Sequence, residues 1–401
     1  MTLLLAAAWC PAEDLLVDPE EAAGRAVARS SDLIAASQDE AAVIAAEEGA
    51  WAFALPQLSA RAGADRRYPL DDRSAAGFSS GIGLEQYLYT PGRWSAVRAT
   101  GEARREAARA DLEAVRRDAA LRARLAVERV RLAKARLAVL TDRQTQREEE
   151  QADAEALFSA GRTTVTEARQ AAVAASQAQD AVLAGQADLA AARRELATTI
   201  ETDGPVDARG SLTRPRELAT LLEQARRGHG AEQRAIEARR RAELGGAEQR
   251  VAAGMPQVFA SADTSTSGER YDKTYASWGV GAGVRWNLYD GGSRSADAEA
   301  SHAREAALRA RARVSERERQ LVLATLGDEI PILDGRLTLA EKTMAAALEN
   351  YTDARERFRA GRLKLIDVGQ AGLAVQESGL VQAQLIAREA EIAHRLRAMA
   401  E

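Results

Sequence analysis

Two periodicities alternate along the chain. Over residues 276–289, Trp278, Val280, Ala282, Val284, Trp286 and Leu288 alternate with Ser277, Gly279, Gly281, Gly283, Arg285 and Asn287. A period of two puts successive side chains on opposite faces of a strand. Residues 57–65 alternate in the same way, and 78–89 and 257–267 supply their partner strands. Polar stretches at 66–77 and 268–274 close two β-hairpins, 57–89 and 257–289. The rest of the chain reads as helix. Amphipathic segments at 20–54 and 216–253 each stop short of a proline (Pro56, Pro256), which disfavours helix at the residue before it. Residues 94–158 contain no Pro and one Gly, Gly101, and predict a helix about 100 Å long. Leu125, Leu132 and Val139 recur every seven residues beside Val130 and Leu137, the spacing of helices that supercoil on neighbours. A break at Gly161-Arg162 precedes a helix over 163–199.

These elements occur twice. Leu55-Pro56-Gln57-Leu58 returns as Met255-Pro256-Gln257-Val258, and Leu88-Tyr89 with Gly92 as Leu288-Tyr289 with Gly292. Phe158, Ala160, Gly161 and Arg162 return as Phe358, Ala360, Gly361 and Arg362, and Gln170-Ala171 as Gln370-Ala371. Every pair is 200 residues apart, so the chain is two copies of one unit. The copies are expected at 19–201 and 216–401, joined by a linker at 202–215. Long helices are expected again at 293–358, interrupted at Pro331, and at 363–399.

Composition sharpens this picture. Of 401 residues, 46% are hydrophobic and 29% charged, yet only 4% are aromatic. Ala, Leu, Arg and Glu dominate, a mixture suited to long packed helices and too apolar for disorder. The 55 Lys+Arg against 60 Asp+Glu give a net charge of −5, which supplies no electrostatic footprint for nucleic acid. A single cysteine, Cys10, excludes an internal disulfide and a cysteine-cluster metal site. No apolar run reaches the roughly 18 residues of a membrane-spanning helix. Residues 1–18 read as an export signal, with cleavage after Ala12, or as a disordered N-terminus. The apolar centre lacks the basic residues of a leader, which an upstream start would supply, and lipid on Cys10 is a further option against which Trp9 counts.

Chemistry-bearing patterns are sparse. His229, His302 and His394 stand far apart, and Gly279, Gly281 and Gly283 lie inside a strand, where they permit curvature or close approach. Glu148-Glu149-Glu150 reads as a solvated helix face. No enzyme and no cofactor is expected.

Two-stranded hairpins are marginal in water, and four strands are too few to close a barrel. Strands of about 9–11 residues match tilted outer-membrane strands, whose edges must be paired in lipid. Trp278 and Trp286 fall near the two ends of the apolar face, where interfacial aromatics sit. Together with the two-copy layout, the Leu-Pro-Gln-Leu and Met-Pro-Gln-Val strand starts, the exit from Leu288 to Arg294 and the glycine-containing helix breaks, this order resembles the TolC-type outer-membrane efflux proteins. The resemblance runs from about residue 19 to the end.

It implies a mainly α chain with a small β part. Long α-helical hairpins would form a periplasmic α-barrel, and two β-hairpins would give four strands to the twelve-stranded β-barrel of a homotrimer. The implied role is a passive duct in the bacterial outer membrane that docks on a periplasmic adaptor (membrane fusion) protein served by an inner-membrane pump, for efflux or type I secretion. The family's C-terminal equatorial extension is expected to be missing. The resemblance makes the helix breaks the adaptor-docking tips, at Gly161 and Thr163 and at Gly361 and Leu363. Asp367 resembles the family's acidic pore position, and Glu167 is its counterpart in the first copy. Gln370, paired with Gln170, stands where many members carry a second carboxylate. Arg362, Lys364 and Arg162 are the implied counter-charges. Phe358 stands where a gate tyrosine can occur, and Leu363 where a gate arginine can. A soluble coiled-coil scaffold is the competing reading, but it has no use for alternating strands bounded by tryptophan.

Overall fold

A computed structural model describes residues 15–67, 75–228, 230–270 and 273–400. Residues 1–14 of the expected signal segment, with Cys10, together with His229 and much of the two strand-connecting loops, lie outside these residues. The chain divides into two compact units that cut across the sequence copies.

One unit takes the described parts of 1–34, 114–230 and 318–401. It opens on β1 (Leu15–Val17), a strand in the segment that the sequence reads as an export signal or a disordered N-terminus. Helix α1 (Pro19–Arg29) follows, with Pro19 in its first turn and Asp18 as N-cap, its Oδ1 accepting from the Glu21 amide at 2.8 Å. The linker between copies is also not featureless. Its residues Val206–Ala208 form β4, which pairs in parallel with β1. The sequence hides this pair because three-residue strands carry no readable period. Asp207 ties β4 to neighbouring helices: its Oδ2 lies 2.8 Å from both Arg193 Nη2 and Lys134 Nζ. Val17, Val206 and Ala208 pack with Ala123, Val127, Val130, Leu189 and Leu196 in a core rich in small side chains, which let helices approach closely.

Two helices of 67 residues, α3 (Arg93–Ser159) and α7 (Ser293–Arg359), belong in part to each unit. Each is followed by a return helix, α4 (Val165–Thr199) or α8 (Leu365–Ala400). The α7 helix does not stop at Pro331, contrary to the expected interruption. Proline removes one ladder hydrogen bond and crowds the carbonyl four residues earlier, at a cost of about 3 kcal/mol. That residue is Gly327, and the flanking Leu326, Leu333 and Leu337 are buried against Leu385, Ile392 and Leu396. Burial of several leucines, at about 1.5–3 kcal/mol each, outweighs the break.

The other unit comprises residues 35–113 and 231–317. The expected helices over 20–54 and 216–253 are each divided, into α1 and α2 (Ser31–Trp51) and into α5 (Leu218–Arg227) and α6 (Ala231–Ala252). The breaks fall at Ser30 and at 228–230, the same place in each copy. Beyond α2 and α6 lie β2 (Gln57–Arg67), β3 (Ala75–Tyr89), β5 (Gln257–Arg270) and β6 (Lys273–Arg285). They form one antiparallel sheet in the order β2-β3-β5-β6, so the two hairpins join through β3 and β5. All four strands reach further into the loops than the alternation predicts, whereas at its other end β6 stops at Arg285, short of the predicted 289. The chain then turns on Gly291 and Gly292, both at positive φ, with Asp290 Oδ2 accepting from the Arg294 amide at 3.1 Å.

Candidate functional site

Two places carry chemistry: the sheet, and the pair of helix tips. In the sheet, cross-strand partners share a face. Leu58 opposes Leu84, Leu84 opposes Ala262, and Ala262 opposes Val280, with Ile82, Val258, Ala282 and Val284 on the same side. This apolar face is bare: Leu58 is 74% exposed, Val280 76% and Trp278 82%. Trp286 lies just past the end of β6 and not in it. Its ring is exposed while its Nε1 donates to the Gly254 carbonyl at 3.1 Å. Trp278 and Trp286 are eight residues apart, about 27 Å along extended chain. Sequence reasoning missed a second aromatic group, Trp51 and Phe53 on either side of Trp94, with ring centroids 5.5 and 5.4 Å away.

The opposite face is polar and rich in small residues. Arg285 reaches over β5 to grip both oxygens of Glu85 on β3, at 2.8 and 3.0 Å, and its guanidinium lies 4.8 Å from the Phe259 ring. Room for Phe259 comes from Gly283, where a Cβ would stand 2.8 Å from the ring. Of the three strand glycines, Gly283 therefore serves close approach, one of the two roles the sequence suggests, whereas a Cβ at Gly279 or Gly281 would meet only ordinary contacts, at 3.4 and 3.8 Å.

At the tips, α3 and α7 end alike. Gly161 and Gly361 take φ of 69° and 72°, and the amides of Arg162 and Arg362 reach back to the carbonyls of Leu157 and Arg357 at 2.8 and 2.9 Å. This is the glycine-based helix stop that satisfies the last carbonyls. Thr164 caps α4, its hydroxyl accepting from the Glu167 amide at 3.2 Å, while the Thr163 hydroxyl donates to the Glu167 carboxylate. Asp367, Gln370, Gln170, Arg362 and Lys364 are exposed. Within the chain no ion pair engages Asp367, Arg362 or Lys364 among the described residues. Arg162 instead spans the two tips, its Nη2 donating to the Ala360 carbonyl at 3.0 Å. Phe358, Leu365 and Val368 are buried with Tyr351 and Val375, whereas Phe158 and Val165 of the first tip are each 44% exposed. Core packing accounts for the aromatic ring at 358.

A further group near the tips escaped sequence reasoning. Glu150, expected on a solvated face with Glu148 and Glu149, is 2% exposed and Arg143 5%. Glu150 accepts from Arg143 at 3.1 Å and from Arg147 at 2.7 Å. Burial pulls the Arg143 guanidinium below its ordinary value. Tyr351 is buried alongside without a hydrogen bond, and desolvation, followed by the Glu150 charge, pushes its hydroxyl up to about 12. The readable signal was spacing: positions 143, 147 and 150 fall on one helix face. Among the described residues no cluster of His, Cys, Asp or Glu has the arrangement of a metal site.

A family model described as outer membrane efflux protein matches residues 22–200 and 229–400. The chain belongs to the outer membrane efflux protein family. Solved structures share its fold. CusC is similar at a TM-score of 0.79 with 16% identity, over 96% of this chain and 93% of that chain. VceC of Vibrio cholerae reaches 0.79 with 16% identity, over 95% and 96%. OprN reaches 0.78 with 20% identity, over 95% and 89%. A search of curated proteins returns no match. The two matched segments of the efflux-protein model follow the two sequence copies, and membership places this efflux protein in the outer membrane. No helix among the described residues is long and apolar enough to cross a membrane.

Proposed function

We propose that this efflux protein is a passive export duct that works as a homotrimer. The supporting observation is the sheet: four strands, an exposed apolar face, and one unpaired edge on each of β2 and β6. Open edges are not tolerated in hydrocarbon, so the sheet has to close on other copies. Strand direction alternates along β2-β3-β5-β6, so β6 of one copy meets β2 of the next antiparallel. Three copies give twelve strands. The face with Arg285, Glu85 and Asp263 then lines the lumen, and Trp278 and Trp286 meet the headgroups of the outer-membrane lipid.

The helices carry the duct into the periplasm. Its narrow end is the tip, with Asp367 and Glu167 in the constriction beside Gln370 and Gln170, and with Arg362, Lys364 and Arg162 as the basic partners that hold the tips closed. The turns at Gly161, Thr163, Gly361 and Leu363 face the periplasmic adaptor, and an inner-membrane pump supplies the energy. A soluble scaffold leaves the apolar sheet face without a purpose. Native mass spectrometry in mild detergent tests the reading, with three chains expected. A stable monomer that retains its full strand content overturns it.

A further inference from the structure

The buried group at Arg143, Arg147 and Glu150 does more than pair charges. Two guanidiniums face one carboxylate, and the Nη2 of each reaches a single backbone atom of α8, while Arg143 Nη1 also donates to Gln146 Oε1 at 3.1 Å. The carbonyl oxygen of Gly369 accepts from Arg143 Nη2 at 3.2 Å and from Arg147 Nη2 at 3.4 Å. Two glycines of α8 admit the arginines. A Cβ at Gly369 would stand 2.9 Å from Arg147 Nη1, and one at Gly372 would stand 2.1 Å from Arg143 Nη1. Gly369 lies two residues beyond Asp367, in the turn that also presents exposed Gln370.

The sequence copies supply an internal control. Counterparts of Arg143, Arg147 and Glu150 are Thr343, Ala347 and Asn350, and those of Gly369 and Gly372 are Arg169 and Ala172. None of these can make the contact, so it exists between α3 and α8 and has no equivalent between α7 and α4. Electrostatics makes it conditional. Arg143 is buried, and a buried guanidinium without a counter-charge is disfavoured on its own. Glu150 offsets that, with its two oxygens shared between the arginines.

We propose that Arg143 and Arg147 are positioning residues for the Asp367 turn: held by Glu150, they latch the Gly369 carbonyl and fix α8 against α3 in the second copy alone. This rests on the reading of Asp367 as a constriction residue. Opening of the second tip then requires the latch to release, whereas the first tip has no such lock.

Amide hydrogen exchange of the purified protein in mild detergent tests the latch without reference to transport. Glu150→Gln should accelerate exchange over residues 365–373 about tenfold or more, because the cluster then holds one buried and one half-buried cation without a counter-charge. Gly372→Ala should do the same with every charge retained. Exchange over 165–173 should not change in either variant. Arg143→Lys keeps the charge but loses the planar fork, and should give a smaller acceleration in the same segment. It decides the question should either of the other variants fail to assemble.

Planar-bilayer recordings separate the latch from the constriction. Glu150→Gln should raise single-channel conductance and leave cation selectivity in place. Asp367→Ala should lower selectivity and leave exchange over 365–373 in place. Unchanged exchange in the latch variants, or equal acceleration of both tips, overturns the latch. Unchanged selectivity in Asp367→Ala overturns the constriction reading, and the exchange result then judges the latch by itself.

Discussion

The two carboxylates at the tips, Glu167 half-buried and Asp367 exposed, have different surroundings. Glu167 is engaged by the Thr163 hydroxyl, whereas Asp367 has no ion-pair partner among the described residues of its own chain. An unpaired aspartate repeated around a narrow axis attracts cations and repels anions, and its electrostatic effect does not depend on breaking an existing pair. Asp367→Ala should therefore reduce cation selectivity and relieve block by divalent cations in planar bilayers. Glu167→Ala should have a smaller effect on selectivity, since that carboxylate is already tied to its helix start. Equal selectivity in wild type and Asp367→Ala would place the constriction elsewhere. Of these residues, the sequence made the tip positions legible because a glycine flanked by helix on both sides has one purpose. It did not reveal Glu150, because an acidic triplet on a long helix looks solvated until the partner helix is known.

At the scale of elements, the β1–β4 pair is small and depends on one carboxylate. Burial alone would raise the Asp207 pKa, but hydrogen bonds from Arg193, Lys134 and the Ala208 amide outweigh it and hold the carboxyl below its ordinary 3.8. A depressed carboxyl contributes stability that is complete above its ordinary pKa and is lost as pH falls through the depressed value. Acid below about pH 4 should release β4 first, seen as faster amide exchange at 206–208 while the long helices stay protected. Asp207→Asn should remove this pH dependence and cost about 1–3 kcal/mol in thermal unfolding at pH 7, because Arg193 and Lys134 lose their partner. The sheet makes a second prediction. Ala282, on the apolar face, and Gly281, on the polar face, are neighbours in β6. Ala282→Arg should cost about 2–4 kcal/mol near the bilayer midplane, while Gly281→Arg should assemble more nearly as wild type. Folding into lipid vesicles at graded urea reads the difference, and equal loss in both would reverse the assigned faces. Alternation made these faces legible in sequence. The end of β6 was not, because Trp286 and Leu288 continue the pattern after the backbone has left the sheet.

At the scale of the whole molecule, the 200-residue repeat was the most legible feature, and it carries through to matching bounds for α3 and α7. The division into compact units was not legible, since each unit takes pieces from both copies. Periodicity reports which face of a helix is apolar and is silent on where a 67-residue helix passes from one set of neighbours to another. The unpaired edges of β2 and β6 have a consequence for the life of the chain before it assembles. A newly exported copy must cross an aqueous compartment with two strand edges and an apolar face uncovered, the condition that favours aggregation. Its edge strands are poorly suited to that outcome. β2 carries Arg61 and Gly63 among small residues, and β6 carries Gly279, Gly281 and Gly283, so neither offers the continuous β-branched run that seeds stacked sheets. Gly283, which makes room for Phe259 in the finished sheet, thus joins Gly279 and Gly281 in keeping the lone chain's edge a poor template, and replacing the three with valine would trade solubility of the lone chain for strand propensity.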